Sequence, residues 1–183
     1  MKLKKQLVLL LFLIIPFFSF SQAQKGYVAS LGVKGGKFSS GLTGKLFFGT
    51  TNSQAIELNL TVKKNFGTFM TTAFYEHQRP FFYSLLRIPL DYIWGGGAHI
   101  AYYKPGYYKI RDGGKDAYYG EGISAGVDLK LGLEHPFSFA PITLSIEACP
   151  IIDLINRGPE VIELGIAARY TMGSVSRNPF KRR

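Results

Sequence analysis

From Ile123 to Glu134, twelve residues alternate between apolar and small or polar without an error. Ile123, Ala125, Val127, Leu129, Leu131 and Leu133 hold the odd positions, and Ser124, Gly126, Asp128, Lys130, Gly132 and Glu134 the even ones. Successive side chains of a strand point to opposite faces, so this run reads as a strand lying between two unlike media. The same period recurs three times. Ile142, Leu144, Ile146 and Ala148 oppose Thr143, Ser145, Glu147 and Cys149; Ile162 to Tyr170 opposes Glu163 to Arg169; and Ile56 to Val62 opposes Glu57 to Lys63. Four looser segments complete the set: Tyr27 to Val33, Gly41 to Phe48, Thr68 to His77 and Leu90 to Tyr103. Beyond the N-terminal region there is no helical period and no apolar run of 18 residues. The expected fold is all-β, an eight-stranded antiparallel transmembrane barrel in up-and-down order, with both chain ends on one side.

The N-terminus has a different pattern. Lys2, Lys4 and Lys5 precede an apolar run from Leu7 to Phe20, followed by the small residues Ser21 and Ala23 flanking Gln22. A positive start, a short apolar middle and a small-residue site describe a secretory signal peptide. The run is 14 residues long, where a spanning helix needs about 20. The expected organisation is therefore a signal peptide over 1–23, a barrel over 24–171 and a basic tail over 172–183. The formal charge is +10, and loss of the three leader lysines leaves +7. Cys149 is the one cysteine, so no internal disulfide can stabilise the exported part. A closed barrel in lipid needs none, because each strand has two hydrogen-bonded neighbours.

Counting from a periplasmic start, the outer loops fall at 35–40, 63–67, 104–122 and 150–160, and the inner turns at 49–54, 79–89 and 135–141. Loop 104–122, rich in Tyr, Gly and Lys, is the place expected to meet an extracellular partner. Its basic residues Lys104, Lys109, Arg111 and Lys115, and the tail residues Arg177, Lys181, Arg182 and Arg183, suit anionic lipid headgroups. Export and the scatter of these charges set nucleic acid aside as a partner.

Alternation alone does not say which face is inside, since a soluble ligand-binding barrel points its apolar face inward. The polar face here mixes charges with Gly32, Gly95, Gly97, Gly126, Gly132 and Gly165. Glycine weakens a solvated strand but fits a crowded lumen. Tyr27, Phe48, Phe69, Tyr102 and Tyr170 fall near strand ends, where interfacial girdles sit. Both features favour apolar residues facing lipid. The inward set then holds Lys45, Lys130, Arg169 and His99 with Glu57, Glu76, Asp91, Asp128, Glu147 and Glu163. Buried charges persist when paired, so the expectation is a salt-bridged plug rather than an open pore. Three basic residues against six acids is unbalanced, which leaves some acids near water-filled ends or paired with Lys34, Lys63 or His99.

The stretches Ala55 to Leu60, Ala73 to His77, Gly95 to His99, Gly126 to Glu134 and Pro141 to Ile146, with Pro150, resemble the small eight-stranded outer-membrane β-barrel proteins of the OmpA/OmpX-like superfamily. The resemblance spans the mature chain and rests on the order of the stretches. It implies an outer-membrane location, a periplasmic N-terminus, outer-membrane lipids and the barrel-assembly machinery as partners, and no assigned chemistry. Such barrels usually end on a terminal aromatic, whereas here Thr171 to Arg183 follows Tyr170.

A lipid-modifying outer-membrane enzyme is the alternative from another class. The three histidines stand in the contexts His77-Gln-Arg, His99-Ile-Ala and His135-Pro-Phe, without a His-X-Ser pattern, and no Gly-X-Ser-X-Gly elbow occurs. His99, Glu76 and Asp91 form a conceivable catalytic set in the lumen, with a structural network as the plainer reading. His77 beside Glu76 is poor metal-ligand spacing. Gly95 to Gly97 lacks a Gly-Lys-Ser/Thr sequel and is no phosphate loop. The expectation is no enzyme, no cofactor and no metal. A narrow channel and a soluble periplasmic ligand-binding barrel are the remaining alternatives.

Overall fold

In a computed structural model the described residues are 25–48, 53–63, 67–81, 90–105, 108–112, 115–119, 122–137, 139–155, 161–173 and 175–176. The expected signal peptide and the tail beyond Ser176 lie outside them. Twelve strands are present: β1 (Lys25–Gly26), β2 (Ala29–Gly36), β3 (Ser39–Phe48), β4 (Gln54–Lys63), β5 (Thr68–Phe81), β6 (Leu90–Tyr103), β7 (Tyr108–Asp112), β8 (Lys115–Tyr119), β9 (Gly122–Pro136), β10 (Ile142–Ile155), β11 (Val161–Met172) and β12 (Val175–Ser176). Eight of them, β2 to β6 and β9 to β11, pair antiparallel in chain order, and β11 returns to β2 to close a barrel. Closure leaves no strand edge with unsatisfied backbone groups.

The alternation becomes an inside and an outside. Among the described residues, 31 large hydrophobics are exposed, among them Leu31, Ile100 and Ile146 at 60–68 %. Ten hydrophobics are buried, against 23 buried polar or charged residues. This inverts the burial of a water-soluble domain, whose monomers rarely show apolar patches beyond a few hundred Å².

Register explains how an eight-stranded lumen, wide enough only for side chains, holds so many large ones. The long inward residues face glycines on neighbouring strands. Gly95 lies opposite both Glu76 and Lys130, Gly97 opposite Phe74 and Asp128, and Gly126 opposite His99 and Asp153. Glu147 lies between Gly132 and Gly165, and Arg169 faces Gly32. At Gly126 an added Cβ would run into the Ile152 carbonyl oxygen and within 2.8 Å of His99 Cε1.

Several boundaries depart from the sequence reading. The loop expected at 35–40 shrinks to the turn at Lys37 and Phe38, because β2 continues to Gly36. The 150–160 loop begins only after Ile155. Pro150 sits inside β10, paired with Ile162 of β11, while the β9 ladder skips Cys149 and Pro150. A residue without an N–H is tolerated where a ladder is interrupted. The 104–122 loop carries a hairpin of its own, β7–β8. Near the start of the basic tail, Val175 and Ser176 pair with Gly26 and Lys25. Gly173, at φ 71°, makes the turn that brings them there.

Gly126→Ala should destabilise the barrel by about 1–3 kcal/mol through overpacking, read as a lower urea midpoint of the refolded protein. Gly35→Ala, where nothing lies within 4 Å of the added methyl, should leave the midpoint nearly unchanged.

Candidate functional site

Among the described residues the lumen is where ionisable groups concentrate. At mid-height Lys45 Nζ lies 2.6 Å from Glu76 Oε1 and 3.1 Å from Glu134 Oε2. Lys130 Nζ reaches Glu57 Oε1 at 2.6 Å, Glu76 Oε2 at 3.0 Å and Glu147 Oε2 at 3.4 Å. The Arg169 guanidinium donates to Glu147 Oε1 at 2.7 Å, Glu57 Oε2 at 2.8 Å and Ser145 Oγ at 2.8 Å. Lys34 Nζ donates to Glu147 Oε2 at 2.8 Å. Four cations thus meet four glutamates, all buried. Seven of the eight barrel strands contribute. The exception is β6, whose Gly95 and Gly97 make the room.

Apolar layers lie on both sides of this cluster. Toward the end where the chain's described termini pair, Tyr27, Phe47 and Ala55 pack together. The Tyr27 ring stands edge-on to Phe47, with centroids 4.9 Å apart, and its hydroxyl donates to Glu134 Oε1 at 2.6 Å. Gln78 Nε2 bridges Asp91 Oδ2 and Glu134 Oε1, both at 2.8 Å. Toward the hairpin end, Met70, Ala101 and Ile151 form a second apolar layer beside Tyr103. Between cluster and layer is a cavity of about 20 Å³, bordered by Lys34, Asn59, Thr72, Asp128, Cys149 and Glu163. That is room for about one water molecule.

His99 stands apart from the central cluster. Its Nδ1 lies 2.8 Å from Asp128 Oδ1 and its Nε2 2.7 Å from Asp153 Oδ1. Ser124 Oγ donates to the same Asp153 oxygen at 2.8 Å. With carboxylates at both nitrogens, the ring satisfies both as an imidazolium. It links β6, β9 and β10.

All ten residues singled out in the sequence point inward, at 3 % exposure or less. Lys45, Glu57, Glu76, Lys130, Glu147 and Arg169 meet in the central cluster. Asp91, His99, Asp128 and Glu163 lie above or below it. Of the two expectations for the surplus acids, pairing is the one the contacts show: Glu147 meets Lys34 and Asp128 meets His99. Asp91 is fully buried, and Glu163 accepts from the Ser39 backbone N–H at 2.9 Å and from its hydroxyl. The set His99, Glu76 and Asp91 does not assemble, since Glu76 belongs to Lys45 and Lys130 and Asp91 to Gln78. Tyr27, placed with the outward aromatics, instead turns into the lumen, because it precedes β2 and folds beneath the barrel mouth.

Sequence reasoning passed over Glu134, Asp153, Gln78 and Ser145 as lumen partners, and named Lys34 only as a spare cation. Glu134 and Ser145 were legible as even and odd continuations of their strands' polar faces. Asp153 is not, because β10 runs to Ile155, past the end of the clear alternation at Cys149. Glu76 faces inward while His77 stacks outside on Trp94 at 4.5 Å, so the two cannot share a ligand. Among the described residues no three His, Cys, Asp or Glu are grouped to hold a metal.

No protein-family model matches the sequence, and no curated protein does. Among solved structures, the chain is similar to the N-terminal β-barrel domain of Pseudomonas aeruginosa OprF, with a TM-score of 0.56 and 11 % identity over 80 % of this chain and 98 % of that one. It is also similar to Neisserial surface protein A (NspA), with a TM-score of 0.50 and 12 % identity over 79 % and 94 % of the two chains. The fold is the closed eight-stranded antiparallel barrel shared with these two structures.

Removing one member of a buried charge cluster leaves its partners uncompensated. Lys45→Met should therefore cost about 3–5 kcal/mol in urea unfolding. Lys45→Met combined with Glu76→Gln should recover a substantial part of that loss, giving a double-mutant coupling of at least about 1 kcal/mol.

Proposed function

We propose that the protein is an integral outer-membrane β-barrel whose lumen is closed by its own side chains, acting without catalysis as a structural or surface-contact component. The observation that carries this is the inverted burial: a continuous apolar exterior around a charged interior. Aromatic belts support it. Phe48, Tyr75, His77 and Trp94 adjoin on the outer wall toward the terminal end, with successive rings 5.9, 5.2 and 4.5 Å apart. Phe69 and Tyr102 pair in register toward the hairpin end, both exposed. Along β6, Trp94 and Tyr102 are eight residues apart, roughly 27 Å along the strand and about 20 Å along the barrel axis after tilt, close to the band such barrels expose to lipid.

The closed-lumen reading rests on the two apolar layers flanking an eight-member ionic cluster. The absence of catalysis is supported by the cluster where, among the described residues, serine, histidine and aspartate come together. Ser124 gives its hydrogen bond to Asp153 rather than to His99, and both imidazole nitrogens face carboxylates. No nitrogen is left to act as base toward the hydroxyl. With the N-terminus periplasmic, the β7–β8 hairpin stands on the outer surface and is the segment offered to an extracellular partner.

The protein should stay with outer membranes through a carbonate wash and show a faster-migrating folded band in unheated gels. Purified barrels should be silent in planar bilayers. Release by carbonate would sink the membrane reading, and steady conductance the closed lumen.

A further inference from the structure

On the hairpin side of the central cluster, two buried oxygens have no hydrogen-bond partner among the described residues. They belong to Asn59 and Asp128, each 2 % exposed. The Asn59 amide nitrogen donates to Glu57 Oε1 at 2.9 Å, which fixes the amide's orientation and leaves Oδ1 unmatched. Asp128 Oδ1 faces His99 Nδ1 at 2.8 Å, and its Oδ2 is unmatched. Both residues border the cavity of about 20 Å³. So does Thr61, whose hydroxyl gives its hydrogen to the Met70 carbonyl and has only lone pairs left to offer. Buried polar atoms are rarely left unmatched, so two acceptors on one cavity require a common partner, either a hydrogen-bond donor or a cation.

Charge decides between these. In the central cluster four cations balance four glutamates. Beyond it, toward the hairpin end, the described lumen acids are Asp128, Asp153 and Glu163. They face the His99 imidazolium and Lys63, whose charge acts on Asp153. Three acids against two cations leave one negative charge over. Glu163, also on the cavity border, is met by neutral donors of Ser39. Lys34 borders the cavity from the cluster side, but its ammonium lies 2.8 Å from Glu147 and is already counted there. A water molecule would match the oxygens and leave the charge, whereas a monovalent cation answers both. The space holds about one water-sized sphere, hence one ion without its hydration shell. A divalent ion would overshoot the charge and takes about six to eight oxygen ligands as calcium. Carboxylate and carbonyl oxygens suit a hard cation, so the lack of a grouped His, Cys, Asp and Glu set among the described residues does not bear on it.

We infer that the cavity between Asn59 and Asp128 binds one small monovalent cation, with sodium as the probe. The ion ties β4 to β9 across the lumen and joins the central cluster to the His99 network. The inference goes beyond the non-catalytic reading above, because it gives the barrel a stability that depends on sodium.

The test uses the refolded full-length barrel in a nonionic detergent, with sodium chloride or choline chloride at equal concentration. Choline is too large for the cavity and serves as the reference. Wild type should retain about one sodium ion per chain in equilibrium dialysis against radiolabelled sodium. Once sodium exceeds its half-saturating level, the unfolding constant in urea should fall about tenfold for each decade of added sodium. Asn59→Leu removes the amide oxygen and leaves the Asp128–His99 pair, and Asp128→Asn removes the charge. Either variant, if it folds, should lose both the bound ion and the sodium dependence. Ser30→Ala, which removes an unmatched hydroxyl outside the cavity, should keep both. Equal urea midpoints in the two salts with no ion retained by wild type would overturn the inference and leave water as the occupant. Undiminished sodium retention by Asn59→Leu or Asp128→Asn would overturn the site.

Discussion

Eight ion pairs at 3.4 Å or less among Lys45, Lys130, Arg169, Glu57, Glu76, Glu134 and Glu147 hold mid-lumen together, a ninth coming from Lys34. Charges this deep are tolerable only in mutual contact, because each alone would cost several kcal/mol to remove from water. Their long side chains must converge, so neighbouring strands must recede, and glycine is the residue that lets them. The pattern of glycines on the inner wall is therefore set by the ions. Layers of Tyr27, Phe47 and Ala55 on one side and Met70, Ala101 and Ile151 on the other flank the pairs.

Most of this architecture was legible in the chain. Period-two alternation placed eight strands and assigned nearly every inward residue correctly, because one displaced residue would put the whole strand's apolar face into the lumen. What escaped has physical reasons. Strand ends lack the contrast between media that marks their middles, so β2 and β10 were cut short and Asp153 was lost with the end of β10. Tyr27 was misplaced because its amphipathic ring suits either a lipid interface or a polar interior. The pairing of Glu134 with Lys45 and Arg169 depends on barrel shear, which brings together residues of non-adjacent strands in a way no local pattern records.

The same separation accounts for the two ends. Among the described residues the acids are drawn inward, so the exposed charge there is basic, as at Lys37, Arg79 and Lys104. At the terminal end, β1 and β12 join the two ends of the described chain across the mouth under which Tyr27 packs. At the other end β7 and β8 pair with each other in a two-stranded sheet separate from the barrel ladder.

Arg169 lies on the last barrel strand, yet its guanidinium grips Glu57 of β4 and Glu147 of β10 together. Until β11 meets β2, the remaining three cations face four glutamates in a sheet whose seam is open. Charge balance in the central cluster and geometric closure therefore arrive together. Half-built forms are penalised twice, once for bare backbone edges and once for surplus negative charge, which makes assembly an all-or-none latch rather than a gradual zipping.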